Sequence, residues 1–407
     1  MNPREYSYDI LKRVILEEGY ASLLLRKKTS FSNEDQNLVS ELVYGVLRQY
    51  SYLTYQWKDY VNKRVKPNNE ILLNLGCYQL LFLDRVPAYA AINETVSLAN
   101  KHDRGFINAI LHKVSERGRI EIKETNEIKK LAIETSHPEW LLKMWEAHYG
   151  KEKMIEIANF NNTRGSVYGR MNTLKCSKEE LEKDPKIHII DDVAFQYDGN
   201  IVETDYFQEG KVLIQDLSSQ KVVQFMDIQK DMIVMDCCAA PGTKAQYIGM
   251  LLNHTGHLYA SDIYENRMKL VEKLMKDTGV SNCTCFVRDA CIEKEDLPLC
   301  DRILLDVPCS GLGDLRHKPE IKLHILPESI DTLVQIQKRI LEINAKYCKV
   351  GGYVIYSTCT LNKKENEIQI QQFLNQNPHY ELLEEKTIFP MDLNSDGFYM
   401  AKLRRIS

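Results

Sequence analysis

The 407-residue chain contains no uninterrupted apolar run near the roughly 20 residues that cross a bilayer, so no membrane span is expected. Its first residues, Met1-Asn2-Pro3-Arg4-Glu5-Tyr6, include no apolar stretch of the secretory kind, and a cytoplasmic protein is the expectation. Glycine (19) and proline (12) are few, and neither an internal repeat nor a low-complexity segment interrupts the pattern, which excludes repeat architectures. No CxxC pair occurs among the eleven cysteines, and no histidine stands at zinc-ligand spacing beside a cysteine pair. Cys237-Cys238 and Cys283-x-Cys285 therefore read as buried strand residues, and no metal is expected. An odd number of cysteines fits free thiols in a reducing compartment. GxGxxG and GxxxxGK[ST] are both absent, which removes the standard dinucleotide and Walker loops.

What is present divides along the chain. The length implies two or three domains. Residues 1–135 read as an all-α bundle of five to seven helices. Tyr6, Ile10, Leu11, Val14 and Ile15 recur at helical spacing, and Ser32 with Asp35 marks a capping-box-like start. Further helices are predicted over Asn69–Leu83, Ala90–Lys101 and Gly105–Glu116. The net charge of −4 argues against indiscriminate binding to nucleic acid. This region, however, holds 20 Lys/Arg against 17 Asp/Glu, leaving 33 against 40 for the rest, so it is the part suited to RNA contact. Residues 136–225 carry another helix to about Asn161 and then short β-like runs (Val167–Met171, Ile187–Ile190, Val212–Ile214), the pattern of a small α+β module. From 226 to 407 strands and helices alternate. That alternation predicts an α/β, Rossmann-like doubly wound parallel sheet with its ligand beyond the carboxyl ends of the strands.

Four strand-like runs end in aspartate, at Asp236, Asp262, Asp289 and Asp306, and a fifth ends at Ser357-Thr358-Cys359. A single such Asp is most simply a helix or turn cap. Four of them converge on one rim. The loop Cys238-Ala239-Ala240-Pro241-Gly242-Thr243-Lys244 joins the first of these strands to a helix, where small residues let amides approach a ligand and the helix N-terminus favours negative charge. A carboxylate-bearing ligand without pyrophosphate suits it. Asp262, at the end of the next strand, is placed to take ribose hydroxyls. An adenosine cofactor lacking pyrophosphate points to S-adenosylmethionine. Two cysteines, Cys309 in Asp306-Val307-Pro308-Cys309 and Cys359, stand on the same rim and suggest nucleophilic chemistry. Carbon 5 of cytosine is a poor nucleophile, and a thiolate adding to carbon 6 makes it reactive toward an activated methyl. On position alone either thiol is a candidate for that attack.

The three motifs Asp236–Lys244, Asp306-Val307-Pro308-Cys309-Ser310-Gly311-x-Gly313, and Ser357-Thr358-Cys359-Thr360 with Glu365-Asn366-Glu367 closely resemble those of the RNA 5-methylcytosine methyltransferases. The N-terminal helices, with Gly105-Phe106-Ile107-Asn108-Ala109-Ile110-Leu111, resemble the NusB-like domain of the RsmB (Sun) branch, the 16S ribosomal RNA (cytosine-C5)-methyltransferases. His137-Pro138-x-Trp140, Gln215-Asp216-x-Ser218-Ser219-Gln220 and Asp396-Gly397-Phe398-Tyr399-x-Ala401-Lys402 are similar to that branch as well. The resemblance implies a NusB-like RNA-binding domain (1–135), a linking module (136–225) and a methyltransferase domain (226–407). It implies that Cys238, Ala239, Ala240, Pro241, Gly242, Thr243 and Lys244 hold the methionine part of the cofactor, Asp262 the ribose and Asp289 the adenine end. Asp306 would lie by the methyl donor and the target base, with Cys359 as nucleophile and Cys309 assisting release.

The implied reaction methylates carbon 5 of a specific cytosine in small-subunit ribosomal RNA through a covalent intermediate, carried out by a monomer. Transfer RNA or large-subunit RNA is the alternative substrate, and a non-catalytic RNA-binding assembly factor the alternative class. The intact thiols and carboxylates speak against the latter. Three features depart from the family pattern. Thr243 stands where a second glycine is usual, Arg288 where a glycine precedes Asp289, and Asp314–Glu320 varies the family's basic stretch. Arg316, Lys318 and Lys322 are candidates for phosphate contacts or for a solvated basic face.

Overall fold

The computed structural model describes residues 2–27 and 29–407. Contacts divide it into two units: Met1–Arg164 with Leu315–Ile325, and Gly165–Asp314 with Leu326–Ser407.

The first unit is helical. Eight described helices precede residue 136: Pro3–Glu17, Ala21–Leu25, Asn33–Arg48, Tyr50–Lys58, Pro67–Phe82, Ala88–Ser97, Arg104–Arg117 and Glu127–Thr135. Two more follow, Glu139–Tyr149 and Lys151–Asn161. The eight exceed the expected five to seven because Ala21–Leu25 is a single short turn and Gln49 splits one long apolar-periodic run into two helices. Ser32 is the expected cap, its Oγ accepting from the Asp35 amide at 3.2 Å. Leu11, Val14, Leu42, Val46, Leu73, Ile107 and Leu111 are wholly buried and form the core.

The segment Leu315–Ile325 completes this unit. Lys322 is buried, and its Nζ donates to the carbonyls of Arg48 (2.9 Å) and Thr135 (3.2 Å) and to Oδ1 of Asn162 (3.2 Å). Arg48 and Thr135 are the last residues of their helices and Asn162 caps a third, so one ammonium satisfies two helix-terminal carbonyls and bonds the side chain that caps a third helix, where the macrodipoles favour a cation. Three acceptors use all three protons, which holds the ammonium form against the downward pull of burial and Arg48 on its pKa. Glu320 does the converse, its Oε1 accepting from the Ala21 amide at 3.0 Å in the first turn of a helix. Arg316, also buried, donates to the Arg164 carbonyl and lies over the Phe160 ring. The reading of Arg316 and Lys322 as phosphate contacts or solvated charges is therefore corrected: both are internal.

The second unit holds two sheets. The smaller is antiparallel, in the order β2-β3-β1-β4, from β1 (Gly169–Met171), β2 (Ile187–Ile189), β3 (Ala194–Tyr197) and β4 (Val212–Ile214). The larger contains β5 (Ile233–Asp236), β6 (His257–Asp262), β7 (Cys283–Val287), β8 (Cys300–Asp306), β9 (Cys348–Thr358), β10 (Tyr380–Ile388) and β11 (Phe398–Arg405). Its order is β10-β11-β9-β8-β5-β6-β7. Strands β5 to β9 are parallel, as the alternation predicts. Strands β10 and β11 add an antiparallel edge that the alternation did not indicate, because only the single turn Pro390–Leu393 separates them. Successive residues alternate between the two covered faces. Val234, Leu258, Leu304 and Ile355 pack toward the helix Thr243–Leu252, while Met235, Ile303, Leu305 and Val354 pack toward Pro327–Ala345. Gly351-Gly352 lies within β9. There Cys348 pairs with Cys300 and Tyr353 with Arg302, so the longer strand bulges. The strand order reverses between β5 and β8, the place where open α/β sheets open a crevice for ligands.

Candidate active site

The loops after β5, β6, β8 and β9 meet at this crevice. Asp236 ends β5 and is buried. Its Oδ1 accepts from the Cys238 amide at 3.3 Å, its Oδ2 has no partner, and burial together with Asp306 raises its pKa to about 7. The loop that follows is tied to β6: the Ala239 amide donates to the Ser261 carbonyl (2.9 Å) and the Ala240 amide to Oδ2 of Asp262 (3.3 Å). Arg267 closes the tie, donating to the Ala240 carbonyl at 3.0 Å and pairing with Asp262 at 3.6 Å. Gly242 has φ 108°, a backbone that favours glycine, and a Cβ there would meet Val271 Cα at 3.3 Å. Thr243 begins the helix at ordinary dihedrals, so the departure from Gly-Gly carries no backbone strain.

Lys244, one residue further, reaches across to β8, its Nζ donating to Oδ2 of Asp306 at 2.8 Å. Ser357 Oγ donates to the other oxygen at 2.8 Å. Burial opposes the Lys244 charge, but Asp306, Cys359 and Asp236 outweigh it and raise its pKa. Past β8 and β9 the two rim cysteines come together, with Cys309 Sγ 3.3 Å from Cys359 Sγ. The hydrogen bond to Cys359, burial and the charge of Glu365 all push the Cys309 thiol well up.

Sequence had already named Cys309, Cys359, Asp306, Lys244, Asp262 and the loop 238–244, and the structure gathers them here. Asp289 stands one strand further out, after β7. Its Oδ1 accepts from the Cys291 amide at 2.8 Å within its own turn, and it is half-buried. The preceding Arg288 turns its side chain away into the fold, donating to Asn344 Oδ1 at 2.7 Å and lying over the Tyr347 ring. Its replacement of glycine is thus absorbed by packing. Cys237 is buried, as expected, whereas Cys283 and Cys285 are half-buried on the edge strand with sulfurs 3.7 Å apart.

Sequence reasoning gave no role to the residues that brace the cysteine turns: Gln337, Asn362, Glu365 and Asn366. No spacing rule marks them, since buried polar side chains in a loop read as solvated ones until burial is known. A backbone crossing adds to the brace. The Gly313 amide donates to the Cys359 carbonyl (2.9 Å) and the Gly397 amide to the Gly313 carbonyl (2.8 Å). A Cβ at Gly313 would lie 2.0 Å from the Gly397 oxygen and 2.9 Å from the Cys359 oxygen, both backbone. Gly313→Ala is expected to destabilise the unit by about 1–3 kcal/mol, read as a lowered denaturant midpoint. An unchanged midpoint would show that the crossing relaxes freely.

Comparison with known proteins agrees with this arrangement. Residues 223–404 match the family described as 16S rRNA methyltransferase RsmB/F, residues 1–116 the NusB family, and residues 137–184 the ferredoxin-like domain of RsmF/B-like methyltransferases. The chain is 32% identical to Probable ribosomal RNA small subunit methyltransferase B of Bacillus subtilis, over 99% of this chain and 98% of that protein. It is 30% identical to Ribosomal RNA small subunit methyltransferase B of Vibrio cholerae, over 100% and 98%. A solved methyltransferase homologue from Pyrococcus horikoshii, 26% identical, superposes with a TM-score of 0.61, covering 69% of this chain and all of that one. With thiols, carboxylates and lysine gathered at the switch point of such a sheet, and relatives matched along nearly its whole length, the chain belongs to the RsmB/F family of 16S rRNA methyltransferases.

Proposed function

We propose that the chain transfers a methyl group from S-adenosylmethionine to carbon 5 of a cytosine in small-subunit ribosomal RNA, with Cys359 as nucleophile. The observation that carries this reading is the pair of sulfurs 3.3 Å apart beside the Lys244–Asp306 ion pair. The small-subunit substrate follows the names of the relatives, and the mildly basic helices of residues 1–135 are suited to hold the RNA.

The donor set fits the cofactor. Gly242 leaves room at a helix N-terminus for a carboxylate, Asp262 offers a carboxylate to ribose hydroxyls, Asp289 stands at the adenine end, and the unpartnered Oδ2 of Asp236 supplies acceptor capacity at the floor. S-adenosylmethionine supplies an electrophilic methyl group. Lys244 interacts electrostatically with Cys359, so a fixed cation stands by the attacking sulfur. Cys359 Sγ then bonds to carbon 6 of the base and makes carbon 5 nucleophilic. Asp306, oriented by Lys244 and Ser357, lies where it can hydrogen-bond the base. When the methylated carbon 5 gives its proton to solvent, the electron pair of that bond restores the carbon 5–carbon 6 double bond and expels Cys359 as its thiolate, and Cys309 assists that release. The target base has to leave its stack to reach Cys359, which favours a loop or an open region of RNA.

Bisulfite mapping of ribosomal RNA with and without the protein tests the assignment. Protection of one small-subunit cytosine only when the protein is present is expected. No change at any small-subunit cytosine, with protection appearing in transfer RNA or large-subunit RNA, would move the activity to that substrate.

A further inference from the structure

Glu365 follows the Cys359 turn at a distance of six residues, is wholly buried, and carries a carboxylate with no cation of the described residues in hydrogen-bond reach. Five donors hold it instead. Oε1 accepts from the Ser310 amide (2.8 Å) and Gln337 Nε2 (3.0 Å). Oε2 accepts from Ser310 Oγ (2.6 Å), Asn362 Nδ2 (3.0 Å) and Thr360 Oγ1 (3.4 Å). Desolvating a carboxylate costs several kcal/mol, and a structural link between two turns could use neutral groups instead. The charge therefore calls for its own explanation.

Its partners supply one. Ser310 is the neighbour of Cys309 and Thr360 the neighbour of Cys359, and Thr360 Oγ1 shares its one proton between Ser310 Oγ (2.7 Å) and the carboxylate. Gln337 extends the grip to the Pro308 carbonyl (3.0 Å), on the other side of Cys309. Asn366 does the same around Cys359, accepting from Thr358 Oγ1 (2.6 Å) and donating to the Thr360 carbonyl (2.9 Å). Both cysteines are thus flanked by residues held from one buried cluster. We infer that Glu365 is a positioning residue for the two-thiol reaction: its carboxylate locks the turn after Cys309 to the turn after Cys359 and makes the two sulfurs inequivalent. Its negative charge lies on the Cys309 side, while the ammonium of Lys244 lies on the Cys359 side. At the start of the cycle Cys309, pushed up by burial and by the Glu365 charge, keeps its proton, which leaves Cys359 to attack. This rests on the two-thiol chemistry proposed above and explains which thiol attacks without appeal to relatives.

Glu365→Gln tests it. The Ser310 amide, Gln337 Nε2 and Asn362 Nδ2 donate on both sides of the carboxylate, so an amide aims its NH2 at one of these donors whichever way it turns and also removes the charge. Two measurements are needed. In the full-length protein without RNA, iodoacetamide labelling mapped by mass spectrometry is expected to modify Cys359 at least about tenfold faster than Cys309, because the thiolate is the reacting form. In E365Q the two rates should approach each other. In RNA methylation, kcat should fall about 100-fold, the scale of a misplaced reacting group, with KM for RNA and for S-adenosylmethionine little changed. An unchanged labelling ratio together with an unchanged kcat would overturn the inference. If E365Q does not fold, Ser310→Ala removes the hydroxyl's bonds to Glu365 and Thr360 and leaves the charge. It should then lower kcat roughly tenfold while keeping the labelling preference for Cys359, and full wild-type activity there would likewise overturn it. Labelling needs no substrate. A shifted ratio in a protein that methylates no RNA would sink the proposed function and leave the role of Glu365 standing.

Discussion

RNA is expected to remain covalently attached to the protein when Cys309 is replaced by alanine. Cys359 keeps its cation, Lys244, and its turn keeps the hydrogen bonds of Asn366, so attack on carbon 6 proceeds. What is lost is the group 3.3 Å away that assists the return step. The attached species should appear as a slow-migrating band on a denaturing gel, approach one RNA per protein, and dissolve on proteolysis. Steady-state product should nearly vanish. The substitution itself is small, a half-buried sulfur removed from a turn that Glu365 and Gln337 still hold, so the thermal midpoint should hardly move.

Cys359→Ala should yield neither the band nor product, with the rate below about one-thousandth of the wild type, as when a nucleophile is removed from a unit that acts together. The comparison is decisive because the two substitutions are chemically identical and only 3.3 Å apart. General damage to the crevice would silence both variants alike. A band from Cys359→Ala and none from Cys309→Ala would exchange the roles and would also remove the reason given for Glu365.

Much of this was legible before any coordinates. Parallel strands ending in Asp236, Asp262 and Asp306 place their carboxylates on one rim, and the position of each could be read from a short apolar run followed by a polar residue. Cys309 and Cys359 stand out for the same reason. Strands β10 and β11 were not legible, since only a single helical turn joins them and the middle of β10, with Glu384 and Glu385, is a continuous exposed run without alternation. Nor was the fate of the basic stretch. Lys322 looks solvated in sequence because lysine almost always is, and only the three helix ends around it make its burial tolerable. Glu365 fell between these cases. It stood in view as part of a motif, but its meaning lay in five donors from three separated segments, which no local pattern encodes.

The return of the chain at Leu315–Ile325 has a consequence for how the protein is made. The helices ending at Arg48, Thr135 and Asn161 are synthesised early, yet the ammonium that joins their ends is residue 322. At about 5–20 residues per second the ribosome needs on the order of 10–30 s to travel from residue 164 to residue 325. For that interval the carbonyls of Arg48 and Thr135 and the side chain of Asn162 have water in place of Lys322. A nascent chain stalled at residue 164 should therefore be markedly more sensitive to protease than one released after residue 325.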